Sequence, residues 1–370
     1  MKLALVVPGG VDRGGERRVI PAVLALIERL AAIHELHVFA LRQEQRPGSW
    51  ELRGARVHNI GSGWTRMRAV RAILAEHRES HFDIVQSVFS GACGLVAVSA
   101  ARVLGIPSVV HVAGGEPVSM PDIRFGGRVT RRGRCQESVV MKGATAITAA
   151  SQPELGLLSS LGVAARRVPL GVDRVRDWPE REPVARRFGE PARLIHVATL
   201  NRVKDQSTLL RALARLAPRH PELHVDMVGE DTLGGEMQRL ALRLDLAGRV
   251  RFHGFLTQRQ LHPLMCQAHV SVISSRHEAG PIALLEAAVL GIPTVGTAVG
   301  HIAEWAPEAA MAVPVGDFEA LAAALHRVMG DESLRLRLAG AARLRALRED
   351  ADYTAACFED LYAELLRPRG

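Results

Sequence analysis

Short apolar runs alternate with longer helical patterns along almost the whole chain. Five runs in the first half have the length and composition of buried strands: LALVVP, HELHVFAL, DIVQSV, SVVHV and TAITAAS. Five more follow in the second half: LIHVATL, LHVDMVG, RVRFHGF, VSVISS and IPTVGT. Stretches with helical periodicity, about 11 to 18 residues long, separate most of them. This alternation predicts an α/β protein with parallel sheets that helices cover on both faces.

The alternation begins again after a charged, proline-punctuated segment, PLGVDRVRDWPEREPVARRFGEPAR. A chain of 370 residues is expected to form two domains of ordinary size. We therefore predict Rossmann-like domains over residues 1–180 and 181–350, and a final helix within residues 353–370. In such sheets ligands bind beyond the carboxyl ends of the strands.

Composition narrows the class of protein. A hydrophobic content of 48% excludes a disordered chain. Four scattered cysteines without a CxxC pair argue against a cysteine metal cluster and a disulfide framework. The apolar run at the N-terminus is too short for a signal peptide, and residues 88–101 are too few to span a bilayer. A cytoplasmic protein is expected, either free or peripheral at the inner membrane face.

The net charge of +8 lies entirely in the first half of the chain. Residues 1–180 hold 24 basic and 16 acidic side chains, whereas residues 181–370 hold 23 of each. This asymmetry favours an anionic partner for the first half, either an acidic membrane surface or a phosphorylated acceptor. Nucleic acid ranks last, because aromatic residues are only 4% of the chain and no nucleic-acid motif is present.

The most informative segment contains two glutamates, Glu278 and Glu286, separated by an apolar run. Gly280 and Pro281 are predicted as the N-cap and first turn of a helix that is apolar except for Glu286. A lone buried carboxylate needs a hydrogen-bond partner, which a polyhydroxyl ligand would supply. The free N–H groups of the helix start, through Ile282 and Ala283, suit a phosphate. Together these features predict a nucleotide-sugar site.

The stretch SSRHEAGPIALLEAAVLGIPTVGTAVGHIAEWAP resembles the donor-binding signature of retaining glycosyltransferases of the GT-B fold, carbohydrate-active family 4 (glycosyl transferases group 1). The resemblance covers nearly the full chain and is strongest over residues 249–305. It implies two facing Rossmann-like domains with a cleft between them, and a final helix that packs back on the first domain. It also implies sugar transfer from a nucleoside-diphosphate sugar, without a metal or other cofactor. The acceptor would be a glycan, a lipid-linked molecule or a small metabolite.

The resemblance assigns roles to residues of the second half. Glu286 would bind the ribose of the donor, and Glu278 its sugar. In the loop ATLNRVKDQS, Arg202 and Lys204 would bind the diphosphate, where Thr199 occupies the usual arginine position. Lys204 stands out because the chain has three lysines against 44 arginines. The backbone of RVRFHGF, at His253 and Gly254, resembles the segment that holds the base.

Other candidates lie in the first half. Gly14 and Gly15 follow the first strand and resemble the first loop of the family, where N–H groups approach a phosphate or an acceptor. His111 ends the strand SVVHV and, by resemblance, would lie near the reacting sugar. The acceptor-side loop would comprise the three residues that follow shortly after it: Gly114, Gly115 and Glu116.

Two other functions fit the same features. A sugar-nucleotide 2-epimerase of the same fold would bind a nucleoside diphosphate but need no acceptor. A non-catalytic partner protein would bind the donor without turnover, and Thr199 is compatible with it. The helical stretch WTRMRAVRAILAEHR, with arginines beside Trp64 and Met67, either lies on a membrane or packs on a sheet. Asp350 and Asp352 are spaced like an Asp-x-Asp metal motif but precede the last helix, so we assign them no metal.

Overall fold

The computed structural model describes residues 1–187 and 189–367, which divide into two compact units. The first unit comprises Met1–Gly171 and the segment that begins at Glu349, and the second comprises Val172–Arg348. The division follows Gly171 rather than residue 180, because Val172 and Trp178 already pack in an apolar core of the second unit.

The first unit contains one sheet of predominantly parallel strands. Its strands are β1 (Lys2–Val7), β2 (Glu35–Ala40), β3 (Gly48–Leu52), β4 (Ala55–Asn59), β5 (Ile84–Val88), β6 (Ser108–Val112), β7 (Ala146–Ala149) and β8 (Arg166–Arg167). Their order is β3-β4-β2-β1-β5-β6-β7-β8, and only β3 and β4 pair antiparallel. The central strand β1 is buried along its whole length, as expected for a sheet covered on both faces.

Helices cover both faces of this sheet. They are α1 (Pro21–Ile33), α2 (Thr65–Glu79), α3 (Leu95–Leu104), α4 (Arg131–Gly143) and α5 (Gln152–Ser160). Alternate residues of β1 point to opposite faces, so Leu3 and Leu5 pack with α1, whereas Ala4 and Val6 pack with α2 and α3. The predicted α/β arrangement is confirmed for this unit.

The second unit repeats the architecture with six parallel strands. They are β9 (Arg193–Val197), β10 (His224–Val228), β11 (Val250–Gly254), β12 (Val270–Ile273), β13 (Thr294–Thr297) and β14 (Ala310–Val313), in the order β11-β10-β9-β12-β13-β14. Its helices are α6 (Gln206–Leu216), α7 (Glu236–Arg243), α8 (Gln258–Met265), α9 (Ile282–Val289), α10 (Gly300–Trp305), α11 (Phe318–Gly330) and α12 (Glu332–Arg348). One apolar core contains residues of α6 and α11, and the other contains residues of α9 and α10.

The last helix, α13 (Ala351–Leu366), belongs to the first unit. It packs on α1, where the His34 ring lies 2.6 Å from the Glu359 carboxylate. Phe358 is fully buried in the core that α1 shares with the sheet. The helix was predicted within residues 353–370, and the last three of those lie outside the described residues.

All ten strands predicted from apolar runs are present, and the described residues contain four more. Two of these, β3 and β4, form a hairpin whose turn residues Arg53 and Gly54 both have positive φ, as a type I′ turn requires. The half-exposed strand β3 has no continuous apolar run, which is why the sequence pattern did not indicate it. Among the described residues, none of the helices combines the length and the apolar character that crossing a bilayer demands.

Candidate functional site

Two neighbouring strands at the centre of the second sheet end side by side. Strand β9 lies between β10, which follows it in sequence, and β12, which comes later. At such a reversal of strand order the loops diverge and leave a crevice for a ligand. The loops after β9 and β12, residues 198–205 and 274–281, therefore share this edge of the sheet.

An ion pair joins the two loops. Lys204 Nζ lies 2.6 Å from Glu278 Oε1, and the Ser275 hydroxyl donates to the same oxygen at 2.6 Å. The Lys204 side chain is 26% exposed and that of Glu278 is 11% exposed, so the pair is partly accessible. The structure thus brings together two residues that the sequence analysis assigned to one donor. Ser275 was not predicted, although it stands three positions before Glu278.

Backbone contacts hold the two loops against each other. The Ser274 hydroxyl donates to the Lys204 carbonyl at 2.9 Å, and the Arg276 N–H donates to the Val203 carbonyl at 2.7 Å. The Asn201 side chain accepts a hydrogen bond from the Lys204 N–H at 3.0 Å. The backbone of Lys204 is thus held from both loops, and its contact with Glu278 holds the ammonium group in place before any ligand arrives.

The Gln206 side chain links the loop that carries Lys204 to the His196 ring. Gln206 is buried, donates to the Thr199 carbonyl at 3.1 Å and contacts the His196 ring at 3.1 Å. Burial lowers the pKa of His196 to about 4, so the ring is neutral at pH 7. Thr199 is exposed, and Gly229 lies under the loop, where a Cβ would meet the Ala198 carbonyl oxygen at 1.9 Å.

Arg202 has a different partner. Its guanidinium forms a bidentate pair with Glu236 of α7, at 2.8 and 2.7 Å, and both side chains are exposed. An exposed ion pair of this kind contributes little to the stability of the fold, and its members exchange easily for other partners. The structure therefore places Arg202 on the same loop as Lys204 but ties it to Glu236, a residue the sequence analysis did not consider.

Helix α9 begins beside Glu278. Its first residue is Ile282 and its N-cap is Pro281, one position later than predicted, because Pro281 has an extended backbone with ψ of 112°. Among the described residues no side chain caps this end, so the N–H groups of Ile282 and Ala283 remain available to an anion. Gly280, Ile282 and Ala283 are all partly exposed.

Glu286 is buried in α9, as predicted, but it already has a partner in the protein. The Gln258 side chain at the start of α8 donates to Glu286 Oε1 at 3.1 Å. Burial raises the pKa of Glu286 to about 7; the Gln258 hydrogen bond opposes this shift, whereas the nearby Asp177 adds to it. Nothing in the sequence pattern indicated Gln258, since it is distant in sequence.

The segment at the end of β11 uses its polar groups within the sheet. The His253 ring lies 2.6 Å from the Asp226 carboxylate of β10. The Gly254 carbonyl accepts from the Gly229 N–H at 2.9 Å, and Gly254 has a φ of +69°. Their predicted contact with a base stays a prediction.

His111 is a core residue of the first unit. Its ring is fully buried within β6, its Nδ1 lies 2.9 Å from the Thr148 hydroxyl, and it packs edge-on against Phe358. Burial lowers the pKa of His111 to about 3. Strand β6 continues to Val112, so His111 lies one residue before the end of its strand rather than at the end. Its predicted position near the reacting sugar stays a prediction.

The glycine pair after β1 closes its own turn. The Gly15 N–H donates to the Asp12 carbonyl at 2.9 Å, and the Gly14 N–H approaches the Asp12 carboxylate at 3.3 Å. Gly15 has a φ of +66°, which explains the need for glycine there. In this structure both N–H groups contact Asp12, and their approach to a phosphate or an acceptor stays a prediction.

One residue of the predicted acceptor-side loop, Glu116, lines a cavity. Glu116 reaches a cavity of about 880 Å³ in the first unit, and its Oε2 is buried with no hydrogen-bond partner among the described residues. Burial raises the pKa of Glu116 to about 7. Gly114 and Gly115 permit this arrangement, because a Cβ at Gly114 would lie 2.9 Å from Glu116 Oε2 and one at Gly115 would overlap the Phe125 ring.

One group of the described residues has the composition of a metal site, namely His37, His58 and Glu76 in the first unit. His37 Nδ1 lies 3.0 Å from His58 Nε2, and the ring planes differ by only 16°. The two rings are nearly parallel and stacked, and the two nitrogens lie within hydrogen-bond distance of each other. Asp350 caps α13 through the N–H groups of Asp352 and Tyr353. The absence of a metal requirement stays a prediction.

Models of two protein families match consecutive parts of the chain. The model described as Glycosyltransferase Family 4 matches residues 21–176, and the model described as Glycosyl transferases group 1 matches residues 179–345. Together they cover most of both units, including Lys204, Glu278 and Glu286.

Similar proteins span part or all of the chain. Glycogen synthase of Mycobacterium tuberculosis is 31% identical over 204 residues, 54% of this chain and 48% of that protein, so the match spans about half the relative's length. A D-inositol 3-phosphate glycosyltransferase of Corynebacterium jeikeium is 28% identical over 97% of this chain and 93% of its own. The Anabaena protein HepE, solved with UDP-glucose, superposes with a TM-score of 0.76 at 18% identity, covering 98% of this chain and all of its own.

Proposed function

Since this chain belongs to the glycosyltransferases of the GT-B fold, we propose that it transfers a sugar from a nucleoside-diphosphate sugar to a hydroxyl group of an acceptor. The observation that carries the proposal is the Lys204–Glu278 pair, set between two central strand ends beside the uncapped start of α9. A cation, a carboxylate and free N–H groups at one edge match a diphosphate joined to a sugar.

In this proposal Lys204 binds the diphosphate. The ammonium group exchanges its contact with Glu278 for phosphate oxygens, and the first N–H groups of α9 contact the same anion. As the bond to the sugar breaks, negative charge grows on the leaving diphosphate. A positioned cation and a helix start stabilise that charge without a metal ion.

The two glutamates then bind the hydroxyl groups of the donor. Glu278, released from Lys204, accepts hydrogen bonds from the sugar. Glu286 accepts them from the ribose, and these donors compensate the burial that raises its pKa to about 7. HepE was solved with UDP-glucose, which supports a donor of this class. We further propose that the anomeric configuration is retained, which NMR of the product would establish.

On the acceptor side, the proposal gives Glu116 a direct role. Glu116 lines a cavity in the first unit, and its carboxylate would accept a hydrogen bond from the acceptor hydroxyl. With a pKa raised to about 7, the carboxyl group is able to exchange a proton near neutral pH.

The proposal is tested by thermal unfolding with a panel of UDP-, GDP- and ADP-sugars, each with and without EDTA. One nucleotide sugar should raise the midpoint by mass action, equally in EDTA. Lys204→Ala should bind that donor roughly tenfold more weakly or worse, since it loses a charge-assisted contact. Lys142→Ala, which removes an exposed lysine of the first unit, is the matched control.

Four results would contradict this picture. The donor site is wrong if no nucleotide sugar shifts the midpoint, or if Lys204→Ala responds like the control. A shift that disappears in EDTA and returns with magnesium would overturn the metal-free mechanism. Conversion of the donor alone, without an acceptor, would identify an epimerase instead.

A further inference from the structure

The cavity beside Glu116 is predominantly apolar. It lies beyond the carboxyl ends of four strands, since Pro8, Leu41, Phe89 and Glu116 follow β1, β2, β5 and β6. Strands β2 and β5 flank β1 on opposite sides, so the cavity occupies the reversal of strand order in the first sheet. Further lining comes from Trp64, Met67, Ala92 and Cys93.

The apolar surface continues along two helices. A second cavity of about 460 Å³ lies between α2 and α3, and it shares Arg66 and Met67 with the first. Trp64 is 80% exposed and Met67 is 49% exposed, which is unusual for such large apolar side chains. Trp64 also has a φ of +47°, a conformation that costs energy for a bulky residue. The structure keeps an apolar path open from the surface to Glu116.

Positive charge surrounds this apolar path. Arg42, Arg66 and Arg132 line the cavity, all three are exposed, and none has a carboxylate partner in the part of the chain that the structure describes. Several other arginines of the first unit do have one, such as Arg13 with Glu44 and Arg53 with Glu28. Three unpaired guanidinium groups at one cavity are suited to a phosphate-type anion.

We propose that this cavity binds the acceptor of the transfer, and that the acceptor is a single amphiphile that carries a phosphate-type anion. Its apolar chain lies along α2 and α3, its anion contacts the three arginines, and its hydroxyl group reaches Glu116. A concave path with a polar end suits one molecule rather than a flat membrane surface. The role as acceptor rests on the proposed function, whereas the binding chemistry rests on the cavity alone.

The test is isothermal titration calorimetry of the full chain with dodecyl phosphate below its micelle concentration. Dodecyl maltoside supplies the chain without the anion, and inorganic phosphate supplies the anion without the chain. Dodecyl phosphate should bind at least about tenfold more tightly than either, because only it occupies both the apolar path and the arginines. Equal binding of dodecyl maltoside, or of inorganic phosphate, would overturn the proposal.

Variants locate the site. Met67→Glu places a negative charge in the path at an exposed position, and the double variant Arg66→Gln, Arg132→Gln removes two cations. Each should weaken dodecyl phosphate binding roughly tenfold or more. Arg102→Gln is the matched control, since Arg102 is an exposed arginine of α3 that lines neither cavity. Unchanged affinity in both site variants, or binding only to acidic vesicles and not to the monomeric amphiphile, would contradict the inference.

The two proposals fail in different ways. If a nucleotide sugar stabilises the protein but dodecyl phosphate does not bind, the donor site stands and this inference is wrong. If dodecyl phosphate binds as expected but no nucleotide sugar does, the amphiphile site stands and the proposed function is wrong.

Discussion

Glu278 and Glu286 are both sheltered carboxylates, yet their surroundings differ. Glu278 accepts hydrogen bonds from the charged Lys204 ammonium group and from the Ser275 hydroxyl. Glu286 accepts from the uncharged Gln258 side chain, and burial raises its pKa to about 7. The protein therefore compensates the burial of Glu278 more fully than that of Glu286. Glu286 depends more on hydrogen bonds from a ligand.

Glu286→Gln should weaken donor binding while the fold remains intact. The variant loses one charge-assisted hydrogen bond to ribose, worth about 1.5–3 kcal/mol, or roughly tenfold to hundredfold in affinity. Glu278→Gln should instead lower turnover, because that residue contacts the reacting sugar. Donor titration and steady-state kinetics separate the two, and Glu319→Gln serves as an exposed control. If Glu286→Gln binds the donor as tightly as the parent does, Glu286 is a structural carboxylate and does not bind the ribose.

The same substitution has a pH-dependent effect on stability. A folded pKa above the unfolded value stabilises the fold at low pH, and this contribution is lost as the pH rises from about 4.5 to about 7. Glu286→Gln avoids that loss, so its free energy of unfolding relative to the parent should increase across this window. Above pH 7 this increase in the free energy of unfolding should reach roughly 3 kcal/mol. Urea unfolding at pH 5 and pH 8 measures the difference, and an identical offset at both pH values would refute the assignment.

At the scale of elements, the donor site depends on the contact between the start of α10 and the loop that precedes α9. Gly300 opens α10 with a φ of +48°, and a Cβ there would lie 2.8 Å from the Glu278 carbonyl oxygen. The first turn of α10 therefore supports the loop that carries Glu278 into α9. Neither the apolar pattern nor the signature resemblance pointed to this contact, because it joins two loops.

Gly300→Ala should impair both stability and donor binding. The added methyl group collides with the loop, beyond the cost of about 1 kcal/mol for placing alanine at positive φ. Gly316→Ala is the matched control, since Gly316 has a φ of +78° but a Cβ there would meet no heavy atom within 4 Å. Gly300→Ala should bind donor at least about tenfold more weakly than Gly316→Ala. Equal effects in the two variants would show that only backbone strain matters.

At the scale of the whole molecule, the C-terminal segment changes the charge of the unit it joins. Residues 1–171 hold 22 basic and 13 acidic side chains, whereas residues 349–367 hold one basic and six acidic. Ion pairs form across this junction, including Arg167 with Glu349 and Arg166 with Glu364. Part of the positive excess thus serves the docking of α13, which weakens the charge argument for a membrane surface.

Thr354 connects this helix to the segment that precedes the second unit. Its buried hydroxyl accepts from the Gly171 N–H at 2.8 Å and donates to the Pro169 carbonyl at 2.7 Å. Thr354→Val should lower the free energy of unfolding by about 1–3 kcal/mol, because both backbone groups lose their partner. Thr354→Ser keeps the hydroxyl and should be milder. Urea denaturation compares them, and a larger loss in the serine variant would contradict this account.

The sequence by itself determined the α/β class, the ten principal strands and the segment that holds Glu278 and Glu286. Apolar runs of strand length and a helix with one carboxylate are local patterns. They can be recognised in the sequence without knowing how the elements pack. The tertiary structure alone decided the partners: Gln258 for Glu286, Glu236 for Arg202 and a closed core for His111. These contacts join residues distant in sequence, so packing rather than local preference selects them.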